Sequence, residues 1–139
     1  MKTINPTLED FEEIIAFYPI LNRRDFDPII EWKGGEKIED NVNFMRWPIY
    51  DPVVKEFLKV ADKECWRDYH FNQYVISKMI TSDVVVQCAD LPQIKQMISF
   101  CVRGDKFMSE GYLGSMIKEG HVSRLLKRLE KLKNYEDIV

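Results

Sequence analysis

Apolar residues recur along most of this chain at the three- and four-residue spacing of helices that bury one face. Leu8, Phe11, Ile14, Ile15 and Tyr18 mark a first such face. Thr7 stands where a cap belongs, with Asp10 three residues on, and Pro19 is expected to end the segment. Asp51-Pro52 reads as a second start, a capping acid before a proline whose missing N–H costs nothing at the first helical position. Val54, Phe57, Leu58 and Ala61 then form its buried face. A short helix is expected after His70, using Tyr74, Val75, Met79 and Ile80, while Asp83 to Cys88 is apolar and β-branched and fits helix or strand.

The last third is the most regular. Asp90 and Gln93 form a capping box ahead of Ile94, Met97, Ile98, Cys101 and Val102, and Gly104 is expected to close that helix. Ser109 is the expected cap of a short helix ending at Gly120. From His121 the chain puts Val122, Leu125, Leu126, Leu129 and Leu132 on one side, and Arg124, Lys127, Arg128 and Lys131 on the other. Residues 28–50 break the pattern. Ile29-Ile30-Glu31-Trp32 and Val42-Asn43-Phe44-Met45 are short apolar runs separated by Gly34-Gly35 and charges, the composition of a small hairpin or an ordered loop. The expected fold is mainly α: an irregular bundle of five or six short helices, with any β-hairpin confined to residues 28–50, in one globular domain over residues 1–139.

Composition narrows the function classes. At 139 residues with 45% hydrophobic and 31% charged residues, the chain can bury one core without metal or disulfide staples. No apolar run approaches a membrane span, and the first residues lack the apolar stretch of a secretion signal. Three cysteines, Cys65, Cys88 and Cys101, have no CxxC spacing, which speaks against a disulfide framework and for a cytoplasmic setting; Cys101 lies on an apolar helical face. Residues 1–90 hold 11 Lys and Arg against 17 Asp and Glu, whereas residues 91–139 hold 9 against 6. The positive end is therefore free to meet an acidic partner, the acidic part of its own fold, or a second copy of the chain. An acidic whole chain, with a sequence pI near 5.5, argues against a dedicated nucleic-acid binder.

Three constellations carry chemistry. Arg103-Gly104-Asp105-Lys106 is a charged turn at the end of an apolar helix, where a guanidinium can hold a carboxylate or phosphate by two parallel hydrogen bonds. The plainer reading has Arg103 capping its own helix or pairing with Asp68 or Glu110. Trp66-Arg67-Asp68-Tyr69-His70 joins aromatics to titratable groups, the makings of either a pocket wall or a buried loop. Gly111 and Gly114 sit three apart in a predicted helix, where each costs about 1 kcal/mol relative to alanine; that expense suggests close backbone approach, by a neighbouring helix before a ligand. The glycines lack the lysine-threonine ending of a phosphate-binding P-loop, and His70 and His121 lack ligand spacing, so neither metal nor cofactor is expected.

Met97, Cys101-Val102-Arg103-Gly104, Phe107, Gly111 and Gly120-His121, with Trp66-Arg67-Asp68-Tyr69 before them and Arg128-Leu129 after, resemble a family of small bacterial proteins catalogued only as a domain of unknown function. The resemblance runs from the first helix, through Pro48-Ile49-Tyr50-Asp51, to the last. Lys106, Met108 and Glu110 stand where that family commonly has arginine, cysteine and aspartate. The resemblance implies a fold and no activity.

The leading expectation is a non-enzymatic helical binding module for a protein or small-molecule partner. Its contact residues would be Arg103, Asp105, Trp66, Asp68 and Tyr69. One rival is an enzyme acting on a small anionic substrate, with Arg103 as anion holder and Asp68, Glu110 or His121 as acid or base. The other is nucleic-acid binding through the basic last helix, which Glu119 and Glu130 interrupt.

Overall fold

The computed structural model describes residues 5–35, 37–39, 42–43 and 46–138. The order of elements is α1 (Leu8–Ile15), α2 (Tyr18–Leu21), β1 (Ile29–Lys33), β2 (Lys37–Glu39), β3 (Val42–Asn43), β4 (Trp47–Tyr50), α3 (Pro52–Ala61), a 3-10 turn (Glu64–Trp66), α4 (Gln73–Ile80), α5 (Asp83–Cys88), α6 (Leu91–Val102), α7 (Gly104–Phe107), α8 (Tyr112–Lys118) and α9 (His121–Ile138). The fold is mainly helical, and among the described residues the strands fall within residues 29–50.

Caps set most helix starts where the sequence places them. Thr7 and Asp10 form a full capping box, as do Asp90 and Gln93. Asp51 accepts from the Val53 N–H ahead of α3. Ser82 accepts from the Val85 N–H, and that cap resolves Asp83–Cys88 as helix. Pro19 opens α2 rather than simply ending α1.

Three details differ from expectation. In α4 the buried face is Ile76 and Ile80, with Met79 half-buried, whereas Tyr74 and Val75 are exposed. Ser109 does not cap α8; Gly111 does, in the left-handed region at φ +87°, so it stands at the helix start and not in its interior. The partner of β1 is β4, paired antiparallel with Trp32 opposite Pro48, while β2 and β3 pair with each other further out. Phe44 and Met45 lie outside the described residues.

The core is built around α9, which packs against α1, α2, α5, α6 and α8. Val122, Leu125, Leu126 and Leu129 are buried, as the sequence pattern requires, and meet Ile94, Met97, Ile98, Phe100 and Cys101 of α6 in one cluster. Edge-to-face pairs extend it: Phe11 with Trp66 at 5.4 Å, and Phe100 with Tyr112 at 5.6 Å. No helix among the described residues is long and apolar enough to cross a membrane.

Candidate functional site

The candidate residues separate into three neighbourhoods. Asp105, in the first, lies on α7 where that turn faces β4 and the start of α8. Its carboxylate accepts from the Tyr50 hydroxyl at 2.7 Å, the Gly111 N–H at 3.1 Å and the Leu113 N–H at 2.9 Å. The Tyr50 hydroxyl in turn accepts from the Gly114 N–H at 3.3 Å. Burial and the facing carboxylate raise the Tyr50 pKa, so its proton stays in this bond. Asp105 therefore serves α8 as the acceptor that a glycine cap cannot supply. Gly111 and Gly114 are the matching notch: a Cβ on Gly111 would lie 2.4 Å from the Trp32 ring, and one on Gly114 would lie 2.6 Å from Ile29. A strand, not a helix or ligand, makes the close approach. Glu110 beside this junction is exposed.

In the second neighbourhood, Arg103 closes α6 with its guanidinium 4.4 Å above the Tyr69 ring. It forms no ion pair with Asp68 or Glu110. The Tyr69 hydroxyl donates to Asp62 at 3.0 Å, and Arg67 pairs with the same carboxylate. Asp68 takes the His70 N–H at 3.0 Å, and its own N–H donates to Ser99, whose hydroxyl donates to the Trp66 carbonyl. Trp66 has no exposed surface, so it belongs to the core and not to a contact surface.

His121, in the third neighbourhood, lies at the start of α9. One ring nitrogen bonds Glu119 at 3.1 Å, and the other meets the Arg124 guanidinium. Burial, with Arg124 adding to it, lowers the ring's pKa below its ordinary value, so the neutral ring accepts from Arg124 and donates to Glu119. Neither Asp68 nor Arg103 joins it. Among the described residues no group of three or more His, Cys, Asp or Glu side chains is placed to hold a metal ion. The thiols are structural where buried: burial raises Cys101 to about 12 and, as the main cause, Cys65 to about 11.

A fourth feature emerges only in three dimensions. Arg124, Lys127, Arg128 and Lys131 of α9 line a groove of ≈ 380 Å³ whose other walls are Tyr18 and Asn22 at α2 and Asp83, Val86 and Gln87 of α5. Lys127 and Lys131 are exposed, as a solvated face would be, but Arg124 and Arg128 are half-buried. Arg128 is anchored through its Nε to the Ala89 carbonyl at 2.8 Å. Arg124 approaches Asp83 at 3.9 Å. The periodicity of α9 points to a cationic side; it carries no signal that α2 and α5 turn that side into a concave wall.

Fold and site together define a helical domain with a strand excursion docked on a glycine notch and a basic groove along its central helix. The chain belongs to a family of unknown function, DUF6508, whose model matches residues 6–135. No curated protein and no solved structure matches it significantly.

Proposed function

We propose that this chain is a non-enzymatic binding module whose partner is an anionic ligand held in the groove between α2, α5 and α9. The observation that carries the reading is the convergence of four cations on one concave surface facing a single carboxylate, Asp83. Arg103 is the lesser contact, because its guanidinium already covers Tyr69, while Asp105 and Trp66 are engaged inside the fold.

An enzyme acting on a small anion would need a free acid or base among these residues. His121 spends both ring nitrogens on Glu119 and Arg124, Asp68 lies with His70 and Ser99, and Glu110, though exposed, does not line the groove. Nucleic-acid recognition by α9 would need a helix that projects into a groove some 12 Å wide. Five neighbouring helices pack against α9 instead, and its cations line a hollow. A cytoplasmic home suits three free thiols.

The test is the melting temperature of the full chain in phosphate, citrate and malonate at constant ionic strength. At least one anion is expected to raise it, because a ligand that binds only the folded state stabilises that state. Arg124→Gln/Arg128→Gln should abolish the rise and Arg103→Gln should leave it. No rise with any of the three anions, or a rise that survives in the double variant, refutes the reading.

A further inference from the structure

We infer that the groove takes a small ligand carrying two or more phosphoryl groups, set along α9 against Arg128, Arg124 and Ser123. This inference rests on the reading of the groove as the binding surface and adds the chemistry of its occupant.

Two adjacent residues of the groove wall hold buried polar atoms without hydrogen-bond partners, the Ser123 hydroxyl and Arg124 Nε. Ser123 is 2% exposed, and the Arg124–Asp83 approach at 3.9 Å is too long for a hydrogen bond. Buried polar groups are nearly always satisfied, so two such atoms on residues that line one basic groove mark where acceptor oxygens fit. A hydroxyl and a guanidinium on successive residues, about 100° apart around the helix, suit a tetrahedral oxyanion, which presents oxygens in several directions, better than a planar carboxylate. Arg128, with Nε committed to Ala89, keeps its two terminal nitrogens for a forked contact with two of those oxygens.

Spacing along the helix supplies the second group. Arg124 and Arg128 are one turn apart, and Lys127 and Lys131 repeat the charge one turn further on. At 1.5 Å per residue the four span roughly 10 Å of helix axis. Two linked phosphoryl groups offer oxygens along more of that length than a single phosphate does. Asp83 leaves the groove strongly positive, and ≈ 380 Å³ suits a compact molecule.

The test is calorimetric titration of the full chain with pyrophosphate, inorganic phosphate, citrate and a labelled duplex, at one ionic strength. Circular dichroism establishes that each variant is folded. Pyrophosphate is expected to bind at least roughly tenfold tighter than phosphate or citrate, a margin that one additional charge-assisted contact supplies. Arg128→Gln and Ser123→Ala should each weaken it by a similar factor. Lys133→Gln, which alters an ion pair with Glu12, should not. Citrate binding as tightly as pyrophosphate would overturn the phosphoryl assignment while leaving an anionic ligand in place. Pyrophosphate binding indifferent to Ser123→Ala and Arg128→Gln would overturn the site. Sub-micromolar duplex binding lost in Arg124→Glu/Arg128→Glu would replace a small ligand with nucleic acid. Binding of none of the four would remove this inference and the anionic-ligand reading together.

Discussion

Removing the Asp105 carboxylate leaves a tyrosine hydroxyl and two backbone N–H groups without their acceptor. Each unsatisfied donor costs about 1–3 kcal/mol where water cannot replace the lost partner, and this junction is only partly buried. Asp105→Ala is therefore expected to lower stability by on the order of 3 kcal/mol, and Tyr50→Phe, which removes the bond to Asp105 and the longer one from the Gly114 N–H, by about 1–2 kcal/mol. Urea unfolding midpoints compare the two; equal losses would mean that the backbone donors do not depend on Asp105. The carboxylate was legible in the sequence as chemistry but not as architecture. Its hydrogen-bond partners lie 55 residues before it and six and eight residues after it, and only folding unites them. Ser123 was silent for the opposite reason: a serine inside a cationic helix has nothing local to distinguish it.

The strand excursion depends on α8 as much as on its own pairing. β1 and β4 form a two-stranded ribbon, a unit that is marginal in water unless something packs against it. Here Ile29 and Trp32 reach the bare backbone at Gly114 and Gly111. Gly114→Val is expected to displace the ribbon and leave the helices in place, since its side chain would enter the space that Ile29 occupies. Limited proteolysis should then cut within residues 30–48 at least roughly tenfold faster, because cleavage tracks the population of locally opened chain, while the helical circular dichroism signal is retained. An unchanged cleavage rate would mean that the notch does not hold the ribbon. The glycine spacing announced a close approach, yet spacing is indifferent to whether a helix or a strand makes it. A similar ambiguity affected α4: Tyr74 and Val75 fit an apolar stripe, but Ile76 and Ile80 win the core, because the face a short helix buries is decided by the elements it meets, here α5 and α6.

At the scale of the whole molecule, α9 is the common wall of five helices, so its loss cannot remain local. Leu126 is fully buried there, and Leu126→Ala is expected to cost about 2–5 kcal/mol through lost burial and the cavity left behind. Lys131→Ala, on the exposed side, should stay within about 0.5 kcal/mol. Both variants should unfold in a single transition by circular dichroism and by tryptophan fluorescence, the latter followed in a Trp32→Phe/Trp47→Phe background so that buried Trp66 is the reporter. Separate transitions in the two signals would mean that α9 does not unite the core.

What the sequence determined by itself is local. Caps at Thr7, Asp51 and Asp90, and the leucine stripe of α9, follow from bonds and spacings within one or two turns, so they can be read without knowing any neighbour. Tertiary structure decided what those elements meet. It sent Trp66 inward, committed Asp105 to α8, kept His121 apart from Asp68, and set α2 and α5 beside Arg124 and Arg128. The physical reason is that a groove is a property of three surfaces at once. Charge periodicity shows which side of α9 is basic, but only the packing of the remaining chain makes that side concave.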